Sequence, residues 1–158
     1  MNMDYRISKH FWFSEIGKSA YAIRNKIPNT PPRTVVENAT ALALNILDPL
    51  REFLGSALEP QSWYRSPALN FAIGGSKTSQ HVKGEAVDIE HHSVSNYRLA
   101  EIINEICPSY DQLILEFYNP KDPRSGWVHI SYKKDLSKNR KQALIFDGKK
   151  YTPLVFKK

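Results

Sequence analysis

Residues 79–90 read SQHVKGEAVDIE and place Ser79, His81, Gly84, Asp88 and two glutamates within twelve positions. Imidazole nitrogen and carboxylate oxygen are ordinary zinc ligands, and a catalytic zinc typically takes three protein ligands and keeps a fourth position for water. Gly84, between the histidine and the aspartate, makes a chain reversal inexpensive. In the extended run after it, Ala86, Asp88 and Glu90 share one face, while Val87 and Ile89 share the other. Two apolar residues then anchor a strand in a core and turn Asp88 into a cleft, where Ala86 leaves room beside it. A histidine on the incoming loop and an aspartate on the strand can converge on one ion. The candidates for a third ligand are His10, His91, His92 and His129. His129 lies in GWVHISY, an apolar strand-like setting that would fix it rigidly. His91 and His92 follow Asp88 too directly to close a ring with it and read as surface or helix-start residues. His10 stands in a polar N-terminal segment. The same spacing also fits a polar loop and a strand histidine hydrogen-bonded in a core, and it does not choose between them.

The elements that must hold these residues are legible in outline. FSEIGKSAYAIRN reads as a short helix with Ser14 as N-cap, and KIPNTPP as an extended connection stiffened by prolines. VVENATALALNILDPLREFL reads as a long helix with Val35, Leu42, Ile46, Leu50 and Leu54 near helical spacing. Pro49 should bend or restart it, and Gly55 should stop it. EPQSWYR reads as a strand, SPALNFAIGG as a helical turn ending at Gly74 and Gly75, and GSKTSQHVKG as loop. EAVDIE is a strand, and Ser93 or Ser95 caps a helix over NYRLAEIINEI. DQLILEFY and GWVHISY are strands around the turn-rich NPKDPRS. ALIFDGKKYTPLV, with Asp147-Gly148 between two strand-like runs, reads as a hairpin. Helices first and then strands predict an α+β fold, a small antiparallel sheet with flanking helices.

The 158 residues suit one domain. With 41% hydrophobic and 24% charged residues, the composition is that of a soluble globular chain. No apolar run is long enough to span a membrane, and the N-terminus carries no signal-peptide core. Action outside the cytoplasm would therefore require another release route. The single cysteine, Cys107, excludes an internal disulfide and a cysteine-based zinc knuckle and reads as a small buried hydrophobe. A monomer is expected. The net charge of +6 favours anionic partners. The basic run KKDLSKNRKQ reads as a solvated surface and not as a nucleic-acid footprint, because no nucleic-acid motif accompanies it.

Ser79-x-His81-x-x-Gly84-x-Ala86-x-Asp88 resembles the S-x-H-x-x-G-x-A-x-D signature of the M15 zinc peptidases. That family includes D-alanyl-D-alanine carboxypeptidases, D-Ala-D-Ala dipeptidases and the L-alanyl-D-glutamate endopeptidases of phage endolysins. WYRSPALN is similar to its YRSP segment, and WVHIS to the segment carrying the last ligand. The resemblance extends over residues 35 to 132 and is strongest to the phage-like carboxypeptidase branch. It implies the α+β fold shared with the Hedgehog signalling domain, a zinc ion on His81, Asp88 and His129, and a substrate contact from Arg65. It also implies hydrolysis of peptidoglycan peptides by a zinc-activated water, either after release from the cell or on a virion. Ser79 would touch substrate or orient a ligand, unless it only caps its loop. Trp127 would wall the cleft or pack in the core. A catalytically inactive wall-binding or virion protein on the same fold is the alternative; a nucleic-acid binder would rest on charge alone.

The chain departs from the family pattern twice. A small residue often precedes the YRSP tyrosine, where this chain has Trp63, which bears on the shape of the substrate pocket. Many members also place a carboxylate three residues before the last histidine, where this chain has Gly126, so the general base must come from elsewhere. If the turn between DQLILEF and GWVHISY centres on Asp122 and Pro123, Glu116 stands directly opposite His129, Ile114 opposite Ser131 and Tyr118 opposite Trp127. Opposed residues share a sheet face. A glutamate among Leu113, Ile114, Leu115 and Phe117 also needs a partner or a task on a buried strand. Glu116 is therefore the expected base, with orientation of His129 as its lesser role and Asp111 and Glu90 in reserve.

Overall fold

Val35, Leu42, Ile46 and Leu50 recur at helical spacing, and all four are buried. In the computed structural model, which describes residues 3–157, they lie on one continuous helical run. It comprises α3 (Arg33–Leu42), a π-helical turn (Ala43–Leu47) and α4 (Asp48–Leu54). Pro49 neither breaks nor restarts it. The Asp48 N–H reaches five residues back to the Ala43 carbonyl, and this wider turn accommodates the hydrogen bond that proline cannot make. Gly55 ends the run in a left-handed conformation, φ 70°. The first predicted helix is two, α1 (Phe13–Ile16) and α2 (Ala20–Arg24). Ser14 binds Asp4 instead of capping, and Ser19 caps α2.

The remaining elements are β1 (Glu59–Ser62), α5 (Pro67–Ala72), a 3-10 turn (Gln80–Lys83), β2 (Ala86–Glu90), α6 (Asn96–Ile106), β3 (Gln112–Glu116), β4 (Trp127–Ser131), a second 3-10 turn (Leu136–Lys138), β5 (Gln142–Phe146) and β6 (Tyr151–Pro153). The strands form one six-stranded sheet in the order β1-β2-β4-β3-β5-β6. It is antiparallel except where β5 runs parallel to β3. Ser95 caps α6 through the Arg98 N–H.

Alternation divides the sheet. Val87, Ile89, Leu113, Leu115, Val128 and Ile130 join Leu42, Ile46, Leu50, Leu99 and Ile103 in a single core. The other face presents Asp88, Glu116, Trp127 and His129 to an open cleft. Trp63 is a core residue at 1% exposure, set edge-on to Phe11, and does not shape the cleft. Cys107 is buried as expected, and burial pushes its thiol up to about 11. Among the described residues no helix is long and apolar enough to cross a membrane.

Candidate metal centre

His81 is placed by two local devices. The Ser79 hydroxyl accepts the His81 N–H and caps the 3-10 turn, so the segment read as loop is a short helix there. Gly84 ends the turn at φ 73° with α3 directly behind it. A Cβ on Gly84 would come within 2.7 Å of both the Val35 side chain and its carbonyl. Gly84→Ala combines left-handed strain with a clash and is expected to destabilise the fold by about 2–4 kcal/mol. The urea midpoint measures this.

The His81 ring is almost wholly buried. Its Nδ1 lies 2.7 Å from the Trp63 carbonyl. A carbonyl only accepts, so Nδ1 carries the proton and Nε2 presents a lone pair. That lone pair lies 3.4 Å from Asp88 Oδ1, another acceptor. In the neutral ring two acceptors therefore face each other in a buried site, and a positive charge between them, either a second proton on Nε2 or a bound cation, resolves the arrangement.

The β2–β4 register sets Asp88 directly opposite His129, with His129 Nδ1 3.1 Å from Asp88 Oδ1. One ligand atom from each of His81, Asp88 and His129 lies within 4.8 Å of the others. Burial alone would raise the Asp88 carboxyl. The charges and hydrogen bonds of the two histidines outweigh it and hold the carboxyl well below the usual carboxylate range. Desolvation pulls His81 below its ordinary value despite Asp88, which favours the neutral ring that binds metal. Two neutralisable nitrogens and one carboxylate are a donor set that zinc accepts.

The other sequence-nominated histidines lie elsewhere. His10 pairs with Glu52 at 2.9 Å. His91 is buried and not a surface residue. It bonds Ser56 at 2.7 Å and meets the Ser93 N–H at the approach to α6. His92 is exposed.

Arg65 is turned toward the cleft by three contacts. Its Nε donates to Ser62 Oγ at 3.4 Å and its Nη1 to Asn70 Oδ1 at 3.2 Å, and its Nη2 lies 3.9 Å from Asp88 Oδ2. Asn70 is buried and anchored in turn on the Ser76 carbonyl. Gly75 is small because a Cβ there would overlap the Asn70 amide. Asn29 binds the Gly17 and Tyr64 carbonyls and accepts the Ser66 N–H, which sets the path of the Tyr64–Ser66 segment. Sequence reading passed over Asn29 and Asn70. Nothing in their local pattern marks them, because their partners are 5 to 37 residues away.

Glu116 reaches the site by a register different from the expected one. Ile114, not Glu116, stands opposite His129, and Glu116 stands opposite Trp127. The tight turn closes at Asn119–Asp122, earlier than supposed, and Phe117 leaves the strand at φ 54°. The offset is two residues, so the face is kept. Glu116 Oε1 lies 3.7 Å from His129 Nδ1. Desolvation raises its carboxyl, with Asp88 adding to the rise and His129 and Arg65 opposing it. Gly126, where the family pattern places a carboxylate, has φ 66°, and a Cβ there would overlap the Glu116 carbonyl oxygen. This backbone leaves no room for a side chain at 126.

Both reserve carboxylates are committed elsewhere. Asp111, fully buried, takes Arg140 through Nε and Nη2 at 2.9 and 2.8 Å and Gln80 at 3.0 Å. Glu90 accepts from Asn96 and Gln61. The basic run is therefore more than a solvated face, since Lys133 and Arg140 line the cleft. That cleft, about 980 Å³, contains His81, Asp88, His129, Arg65, Glu116, Ser79 and Trp127 together.

The family model described as Peptidase M15 matches residues 9–131. The chain belongs to the M15 peptidase family, a class of hydrolases that cut peptide bonds. No curated protein matches it.

Proposed function

We propose that this protein is a zinc-dependent peptidase of bacterial cell-wall peptides, acting as a D,D-carboxypeptidase or an endopeptidase. The observation that carries the reading is Asp88 between two histidines, with Glu116 and Arg65 beside it in the same cleft. His81, Asp88 and His129 would hold the ion. When bound, zinc supplies Lewis acidity that brings water deprotonation into the neutral range and draws charge from an amide carbonyl. Glu116 takes the proton from the attacking water as its oxygen adds to the carbonyl carbon. The same carboxyl returns that proton to the nitrogen as the C–N bond breaks. Arg65 faces the charge that develops on the carbonyl oxygen, or a substrate carboxylate, with a planar fork held by Ser62 and Asn70. Ser79 and Trp127 line the substrate's path.

The net charge of +6 suits an anionic wall polymer. The protein would act after release from the cell or as a virion component. Arg65→Lys keeps the charge and loses the fork, and turnover is expected to fall about 10²-fold with zinc content unchanged. Steady-state kinetics beside metal analysis checks this, and a wild-type rate would remove Arg65 from the mechanism. The substrate is tested by digesting purified peptidoglycan and reading the new chain ends by mass spectrometry. Released free D-alanine identifies carboxypeptidase action, and new terminal amines on peptide fragments identify endopeptidase action. Intact peptides beside a zinc-loaded protein would make the chain a binding protein instead.

A further inference from the structure

The matched family region ends at residue 131, yet the cleft does not. Lys133, Arg140, Phe146 and Tyr151 all line it. The β5–β6 hairpin extends the sheet beside β3, and the Asp111–Arg140 pair ties its entrance to Gln80, next to His81.

With Phe146 and Tyr151 this hairpin completes a row of aromatic rings on the cleft. Trp127 lies 5.2 Å from Phe117, Phe117 lies 5.6 Å from Phe146, and Phe146 stacks on Tyr151 at 4.5 Å and 24°. Its second ring, Phe117, directly follows Glu116. Phe117 has φ 54°, a genuine outlier for a bulky side chain. The conformation is enforced: the Phe117 N–H donates to the Phe146 carbonyl at 2.9 Å, and the ring lies against Gly148, where a Cβ would come 2.8 Å from it. The fold thus holds strain to bring this ring into the row. Phe117 is nonetheless 47% exposed and Tyr151 57% exposed.

We propose that this ledge is a subsite for the sugar rings of the wall glycan, placed beside the peptide-cleaving centre; the identity of the glycan rests on the wall-peptide reading. A single peptide side chain is best served by an enclosed hole. Phe146 is held between the edge of Phe117 and the face of Tyr151, so the surface left open is that of Phe117 and the outer side of Tyr151. Two half-open rings along one cleft wall suit an extended ligand of flat C–H faces whose hydroxyl rims stay in water. A pyranose chain has that form. The ledge is continuous with the cleft holding Glu116 and His129, so a glycan seated on it delivers its attached peptide to the centre.

The test titrates the full chain with the β-1,4-linked tetrasaccharide of N-acetylglucosamine and follows backbone and aromatic NMR signals. Saturable shifts are expected at Phe117, Trp127 and the Phe146–Tyr151 hairpin. Tyr151→Ala should weaken binding about fivefold, the loss of one stacked ring, while Tyr151→Phe binds within about twofold of the unaltered chain. In the cleavage arm, Tyr151→Ala should lower the ratio of intact-sacculus to glycan-free stem-peptide hydrolysis by about the same fivefold. Absence of saturable shifts overturns the proposal, as does an equal loss on both substrates, which would make the ledge a peptide site. If the unaltered chain cleaves neither substrate while the shifts saturate, the peptidase reading fails and the glycan subsite stands.

Discussion

His129→Ala is expected to reduce zinc retained after dialysis from one ion per chain to background and to abolish peptide cleavage, with the chain still folded. Of the three proposed ligands His129 alone comes from β4, and it stands directly across the β2–β4 register from Asp88. Without it the site keeps one imidazole and one carboxylate, too few for a catalytic zinc. The fold should survive because the ring faces the cleft, and the core side of β4 rests on Val128 and Ile130, both fully buried. Circular dichroism and zinc analysis of the same sample check both halves. Full cleavage by this variant after chelator treatment would contradict the assignment.

Glu116→Gln is expected to keep zinc and fold and to lower turnover about 10²–10⁴-fold, the usual contribution of a positioned general base. The amide is nearly isosteric with the carboxyl but cannot take a proton from water. The 3.7 Å separation from His129 Nδ1 leaves the carboxylate beside the ligands without a tight bond to them. If Glu116 only oriented His129, the substitution would instead weaken metal affinity, by about 10–100-fold as for other groups that bond a metal ligand. Zinc titration beside kinetics separates the two roles. Loss of affinity with turnover preserved at saturating zinc would make Glu116 a positioning residue.

Two members of the candidate cluster were legible because their chemistry is local, whereas His129 was singled out by the family resemblance. His81, Gly84 and Asp88 lie within one turn and one strand, and period-two alternation gives the face of Asp88 without knowledge of the fold. Glu116 was legible by parity alone. Its exact partner depended on where a loop closes, and the left-handed Phe117 with the tight Asn119–Asp122 turn moved the register by two residues. The sheet's antiparallel character followed from the order of elements, helices first and then strands. The parallel β3–β5 pairing did not, because the β4 strand lies between them in sequence and the 133–141 segment crosses over. Trp63 was misread as a pocket residue because its backbone carbonyl, and not its ring, serves the site. Asn70 and Asn29 were invisible because they act on backbone and guanidinium groups that only the folded chain brings near. The continuous α3–α4 run shows a proline rule overridden by a wider helical turn one step upstream.

The most direct measurement of the central claim is an anomalous difference map, recorded at the zinc absorption edge, from crystals of the metal-loaded protein. A single peak is expected, bonded at about 2.0–2.2 Å to His81 Nε2, an Asp88 oxygen and His129 Nδ1, with the Glu116 carboxylate beside it. A peak on His91 or His92, or none at these three residues in a preparation that cleaves wall peptides, would contradict the account.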